Sequence, residues 1–147
     1  MNVAIEPARD EHIHAILPNL RAREEQIIGG VADPAAALVA EVRASSQSFA
    51  MLLDDQVVCV WGVHARSILA DAVYIWLLTS RAVDEHPVLF VRQSRRMREA
   101  MLAQYGTIEG VVAIDNPRSA RWLRWLGAEL EPSIVDGMLD FRIRRAA

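Results

Sequence analysis

The segment AVYIWLL at residues 72–78, the longest uninterrupted apolar run in the chain, is followed by TSRAVDEHPVLFVRQSRRMREAMLAQYG at 79–106. The first seven residues are apolar on both strand faces, as expected of a central strand covered on both sides. A helix opens near Glu85, His86 and Pro87 and carries Phe90, Ser94, Met97, Met101 and Tyr105 at spacings of three and four, until Gly106 stops it. Residues 108–114 then read as a second strand. Strand, long helix and strand in this order place a mixed sheet at the centre of an α/β domain.

Toward the N-terminus, residues 2–6 alternate weakly as a first strand. Asp10 is expected to cap a helix with Ile13, Ile16, Leu17 and Leu20 inward, kinked or broken at Pro18 and ended by Gly29 and Gly30. Asp33 and Pro34 restart a helix as cap and first residue, with Leu38, Val39 and Val42 on its stripe. Residues 49–53 and 57–63 form strands around the turn Asp54-Asp55-Gln56. Toward the C-terminus, Asn116 and Pro117 open a helix with Trp122, Trp125 and Leu126 inward, closed by Gly127. Strands near 128–131 and 139–143 follow, joined through Asp136-Gly137. The expected order is β-α-α-β-β-β-α-β-α-β-β in a single domain over 1–147.

A chain of 147 residues with 52% hydrophobic and 24% charged content buries about 68–70% of its unfolded surface without a metal or disulfide staple. Its apolar runs are far shorter than the ~20 residues of a membrane span, and no basic stretch leads into an apolar run at the N-terminus, so a cytoplasmic protein is expected. Cys59, the single cysteine, has no internal disulfide partner and fits a reducing compartment. Its alternating strand marks it as a buried apolar residue rather than a nucleophile.

The net charge of −3 argues against a general polyanion binder. Residues 1–74 carry 5 Arg and 10 acids, and residues 75–147 carry 11 Arg and 9 acids, so an anionic ligand is expected in the C-terminal half. Arg92, Arg95, Arg96 and Arg98 line one helix, Arg118, Arg121 and Arg124 the next, and Arg142, Arg144 and Arg145 end the chain. With no lysine present, routine solvation accounts for most of them, although arginine suits bidentate phosphate or carboxylate recognition.

Several catalytic patterns are missing. The seven glycines form neither common phosphate loop, no G-x-S-x-G elbow exists, and no Cys/His cluster has metal spacing. His12, His14 and His64 read as structural. His86, at the mouth of the long helix, is the histidine with a functional alternative. Tyr74 and Tyr105 read as core, with Asp71 and Tyr74 as an alternative base and acid pair at the start of the central strand.

The stretch DNPRSARWLRWLGAELEP at 115–132, together with the element order, resembles the final motif of the GCN5-related N-acetyltransferase (GNAT) superfamily. There, an Asn-capped helix runs to a glycine and a strand. A closer likeness covers about residues 48–132. WLLTSRAVDEHPVLFVRQSRRMREAMLAQYG at 76–106, taken with that motif, resembles the internal virion protein A-like phage family of podoviruses.

The GNAT resemblance implies a mixed, mostly antiparallel central sheet flanked by helices. It also implies acyl-CoA held by the backbone of the central strand around Leu77, Leu78 and Thr79, with Asn116 near the cofactor arm. Three departures stand out: TSRAVDEHPVLF at 79–90 lacks the glycine loop that meets the pyrophosphate, Leu123 stands where many relatives have a tyrosine general acid, and Gly127-Ala128 replaces Gly-Phe. Arg81, or the Arg92–Arg96 face, would then have to meet the phosphates.

No residue is assigned a catalytic role on this reading, and whether the chain is an enzyme stays open. The phage likeness implies a protein-interaction role in virion assembly, with phage particle components as partners, tryptophans as anchors, self-association as an option and a place in the host cytoplasm or the virion. The alternative is an N-acyltransferase that moves acetyl or another acyl group from acyl-CoA to an amine. A nucleic-acid role through the arginine faces is a distant third.

Overall fold

The computed structural model describes residues 2–65, 69 and 71–146. Its elements are β1 (Val3–Pro7), α1 (Asp10–Ile16), a 3-10 turn (Leu17–Asn19), α2 (Ala22–Ile28), α3 (Pro34–Ala44), β2 (Gln47–Leu53), β3 (Gln56–Ala65), β4 (Ala72–Thr79), α4 (Ala82–Glu85), α5 (Pro87–Gln104), β5 (Thr107–Ala113), α6 (Pro117–Trp125), β6 (Glu129–Pro132) and β7 (Met138–Arg144). The strand order is β1-β2-β3-β4-β5-β7-β6. Among the described pairings only β4–β5 is parallel. None of the helices described is long and apolar enough to cross a membrane. The chain divides into two compact units, Met1–His64 with Trp76–Phe90 and Ala65–Ile75 with Val91–Ala147.

In the first unit the core gathers Ile13, Ile16, Leu20, Val42, Ala50, Val57, Val60 and Leu78. The β2–β3 hairpin turns on Asp54 and Asp55, both at positive φ (47° and 68°). A two-residue turn that follows the strand twist demands that conformation, and Asp tolerates it better than most residues. Phe49 and Trp61 face each other across the hairpin with ring centroids 5.7 Å apart. Asp33 caps α3 as expected, accepting from the Ala36 N–H at 3.1 Å.

The expected first helix breaks at Pro18, which begins a new segment because it has no N–H for the helix ladder. Its cap differs from expectation. Arg9 is the N-cap and its N–H donates to His12 Nδ1 at 2.9 Å, while Asp10 lies inside the helix and its carboxylate pairs with Arg43 at 2.8 Å. The ring of His12, 3% exposed, completes the cap by bonding Glu6 through Nε2 at 2.8 Å. A second difference is α4, one helical turn between β4 and α5 in a stretch to which the sequence reading assigns no element before Glu85.

In the second unit β4 pairs with β5 over Ala72–Tyr74 and Thr107–Glu109. Then β5 runs antiparallel to β7 from Thr107↔Arg144 to Ala113↔Met138, and β6 closes on β7. Asp71 holds the Gly106 N–H at 2.8 Å, which joins the start of β4 to the end of α5. The α5 stripe is as expected, from half-buried Phe90 through buried Ser94 to half-buried Tyr105.

Helix α6 is turned from its expected face. Ala120, Leu123 and Leu126 are buried and Trp125 is 51% exposed. Positions i and i+2 of a helix are about 200° apart, so a stripe centred on Leu123 sends Trp125 outward. Trp122 stays half-buried at the stripe's edge, its Nε1 donating to Ser94 Oγ at 3.1 Å.

Candidate functional site

The residues singled out around the end of β4 fall in the first unit, and their hydrogen bonds reveal which edge each backbone faces. Ser80 N–H donates to the Val58 carbonyl of β3 at 2.9 Å. Successive residues of a strand send their backbone groups to opposite edges. Leu78 therefore faces β3 with Ser80, while Leu77, Thr79 and Arg81 face the other edge.

On that other edge the chain supplies its own partners. Arg81 N–H donates to the Asn19 carbonyl at 2.9 Å, and Arg21 N–H donates to the Thr79 carbonyl at 3.4 Å, making an isolated antiparallel bridge between Leu20 and Ser80. Glu24 on α2 accepts from Thr79 N–H at 2.8 Å and from Thr79 Oγ1 at 2.5 Å. Thr79 is 4% exposed, so without Glu24 these donors would be buried without partners.

Two ion pairs lie beside this contact. Arg21 Nη2 is 3.1 Å from Asp84 Oδ1, and Arg81 Nη2 is 3.8 Å from Glu25 Oε2 on the exposed surface. Burial raises the pKa of the Glu24 carboxyl above the ordinary carboxylate range, against the lowering effect of the two Thr79 hydrogen bonds and of Arg21. Burial also pushes the Cys59 thiol far up, and the Glu24 charge adds to that. Cys59 is fully buried and has the inert character expected of it.

Beyond Thr79 the chain turns inward. Every backbone N–H of residues 79–86 has an acceptor within the protein, and those of Val83, Asp84, Glu85 and His86 close the turn of α4. Anion cradles are built from N–H groups aimed outward. This segment offers none and adds the exposed carboxylates of Asp84 and Glu85. Along this edge β4 presents backbone groups that the chain itself engages at Thr79 and Arg81, and residues 79–86 form no amide cradle of the kind that holds a diphosphate. His86 lies at the junction of α4 and α5, its carbonyl accepting from Phe90 N–H.

The other candidates lie in the second unit. Asn116 caps α6, its side chain accepting from Ser119 N–H at 3.3 Å. Leu123 is buried in the α6 stripe. Asp71 serves the backbone of Gly106, and Tyr74 lines a shallow concavity of about 250 Å³ with Glu109, Glu131, Asp140, Phe141 and Arg142. The Glu109 carboxylate pairs there with Arg142 at 3.3 Å.

Several arginines have structural work to do. Arg98 donates to the Leu126 carbonyl at the end of α6 and Arg145 to the Leu102 carbonyl at the end of α5. For Arg98 this replaces the solvated role expected of it. Arg92, Arg95, Arg96, Arg118, Arg121 and Arg124 are exposed. No three His, Cys, Asp or Glu side chains among the described residues come together as a metal site.

No protein-family model matches this sequence, and no curated protein sequence matches it. Solved structures do match. The chain is similar to the GNAT domain of S. lividans PAT, with a TM-score of 0.77 and 10% identity over 97% of this chain and 90% of that one. It is also similar to a spermidine N-acetyltransferase SpeG chimera from Vibrio cholerae and hSSAT, with a TM-score of 0.72 and 11% identity over 98% and 96% of the two chains. YncA from Salmonella typhimurium, solved with its cofactor acetyl-CoA, superposes with a TM-score of 0.70 and 12% identity over 100% and 98%.

The fold is that of the GNAT acetyltransferases. Identities this low establish the fold alone, and the strand and helix order agrees with what the 115–132 motif implied. Glu24 is the GNAT-fold residue that the sequence reading missed. It lies 55 residues from Thr79, in the stretch between Pro18 and Gly29 to which the sequence reading gives no functional residue.

Proposed function

We propose that this protein is an acyl-CoA-dependent N-acyltransferase that transfers an acetyl or other acyl group to an amine. The observation that carries the reading is the state of Thr79. At the end of the central strand of a GNAT fold, its N–H is held by a side chain instead of a neighbouring strand. A ligand amide can replace a carboxylate there without unpairing the sheet. When bound, acyl-CoA supplies a thioester whose acyl carbon is open to attack by an amine.

The protein's own residues would divide the binding. Leu77 and Thr79 present backbone groups along the edge away from β3. Leu78 packs its side chain in the core and supports them. Arg81 is exposed on the N-cap of α4, with its guanidinium in only a long contact to Glu25, and would meet the phosphates in place of a glycine loop. Asn116, in the second unit, caps the start of α6.

A virion-assembly role rests on the sequence likeness to the phage family. Of the tryptophans, Trp61 is buried and Trp76 and Trp122 are half-buried with their indole N–H groups bonded inside the protein, which leaves Trp125, 51% exposed, as the anchor such a role would use. The test is isothermal titration with acetyl-CoA, with CoA as a control. Saturable micromolar binding that weakens in Arg81→Ala is expected. No heat and no thermal shift at millimolar ligand would overturn the reading and return attention to protein partners.

A further inference from the structure

We propose that the segment 19–24 is a built-in occupant of the cofactor edge of β4, so that acyl-CoA gains its full hold on Thr79 only when Glu24 lets go. The inference rests on the acyl-CoA reading above and concerns the regulation of that same site. Residues 19–21 pair with 79–81 as a strand would, and one turn later Glu24 takes both Thr79 donors. Both the N–H and the C=O of Thr79 on the edge away from β3 are thereby engaged within the protein. A backbone N–H makes one well-aligned hydrogen bond, so an arm amide and the Glu24 carboxylate exclude each other at this atom.

The occupant is built to be displaced. Helix α2 has seven residues, none of them fully buried, with Ile27 64% exposed and Glu24 half-buried against Thr79. Only Ile28 packs against the core. By contrast, α1 buries Ile13 and Ile16 completely. What fixes α2 is polar: the Glu24–Thr79 pair of bonds, the Arg21–Asp84 ion pair and the distant Glu25–Arg81 contact. Segments held by few buried apolar contacts open at lower cost than core helices. Opening would also remove Glu25 from the side of the exposed Arg81, so one movement would free a donor for the arm and a cation for the phosphates.

The clasp acts as a tax on affinity, since only the open fraction binds fully. Its removal in Glu24→Ala should tighten acetyl-CoA binding about three- to ten-fold, with Arg21→Ala moving the same way and serving as the check should Glu24→Ala fold poorly. Amide hydrogen exchange supplies a readout without ligand: Thr79 is protected in the wild type and exchanges faster in Glu24→Ala. Adding saturating acetyl-CoA to the wild type should speed exchange across residues 22–28.

If the wild type binds but both variants bind equally or more weakly, and exchange in 22–28 does not rise with ligand, the clasp is not displaced. The inference then falls while the acyltransferase reading stands. If neither wild type nor variants bind although Thr79 exchange responds to Glu24→Ala, the acyltransferase reading falls and takes the competition with it.

Discussion

Gly62 on β3 faces Trp76 on β4, and the consequence of adding a single methyl group there can be worked out from the distances. A Cβ on residue 62 would stand 2.5 Å from Trp76 Nε1, 2.7 Å from Cε2 and 2.8 Å from Ser45 Oγ. The indole has little freedom to retreat. Its Nε1 donates to Ser45 Oγ at 2.8 Å, and that hydroxyl donates to the Glu41 carbonyl near the end of α3 at 2.7 Å. Overpacking of this kind costs about 1–3 kcal/mol, and losing the indole hydrogen bond adds about 1 kcal/mol.

Gly62→Ala should therefore destabilise the protein by roughly 2–4 kcal/mol. At this chain length that lowers the Tm by roughly 5–15 °C. Urea unfolding followed by far-UV circular dichroism measures it without relying on tryptophan fluorescence. Trp76→Phe, which removes the atoms nearest the new methyl, should cost less alone. The double variant should then recover at least about 1 kcal/mol against the sum of the singles. A Gly62→Ala protein within about 0.5 kcal/mol of wild type, or strictly additive variants, would refute the packing argument.

Burial raises the Glu24 pKa above the ordinary 4.5, so the folded protein holds that proton to higher pH than the unfolded chain does. The stability this contributes is full below the unfolded value and is lost as pH rises through the folded one. Wild type should accordingly lose stability relative to Glu24→Gln as pH climbs from about 4.5 upward, and a difference that stays flat between about pH 4 and pH 8 would contradict it. Arg98→Ala removes a guanidinium bond to the Leu126 carbonyl made by a side chain only 25% exposed, and should cost about 1–2 kcal/mol in urea unfolding. Arg95→Ala, at 63% exposure with a 3.7 Å contact to Glu99, should stay within about 0.5 kcal/mol of wild type. Cys59 should resist a thiol reagent such as DTNB in the native protein and react once urea unfolds it, and prompt native labelling would show that the β3 strand opens.

Features whose physics is local were readable in the sequence. Asp33-Pro34 starts α3, Asp54-Asp55 turns the hairpin and Gly106 follows α5, because each depends on a residue's own backbone preferences. What depended on distant partners was not. Asp10 looks like a better cap than Arg9 until Glu6 and Arg9 reach His12 and Arg43 takes the Asp10 carboxylate. At four residues α4 is too short to show a period. An inward Trp125 is incompatible with the buried stripe of Ala120, Leu123 and Leu126, whose spacing turns it out. The β4 end was placed from a resemblance, whereas Glu24 has a place there only because the fold crosses 55 residues of chain.

The missing glycines and the clasp are two sides of one physical choice. A glycine-rich stretch after β4 could leave its amides pointing outward, whereas residues 82–85 are ordinary helix-compatible residues and spend their amides on α4. Fixed amide dipoles are thereby replaced at the candidate phosphate end by mobile arginine charges, and Arg81 is already shared with Glu25. Exposed charges are screened by salt and buried amides much less so. On the proposed acyl-CoA reading, the affinity should then be strongly salt-dependent and set by a balance of competing carboxylates. In a glycine-loop acyltransferase, the same affinity would be largely fixed by the backbone. The carboxylates of Glu24 and Glu25 sit on the same short helix, so on that reading the strength of cofactor binding would be a property of α2, a helix with no fully buried residue.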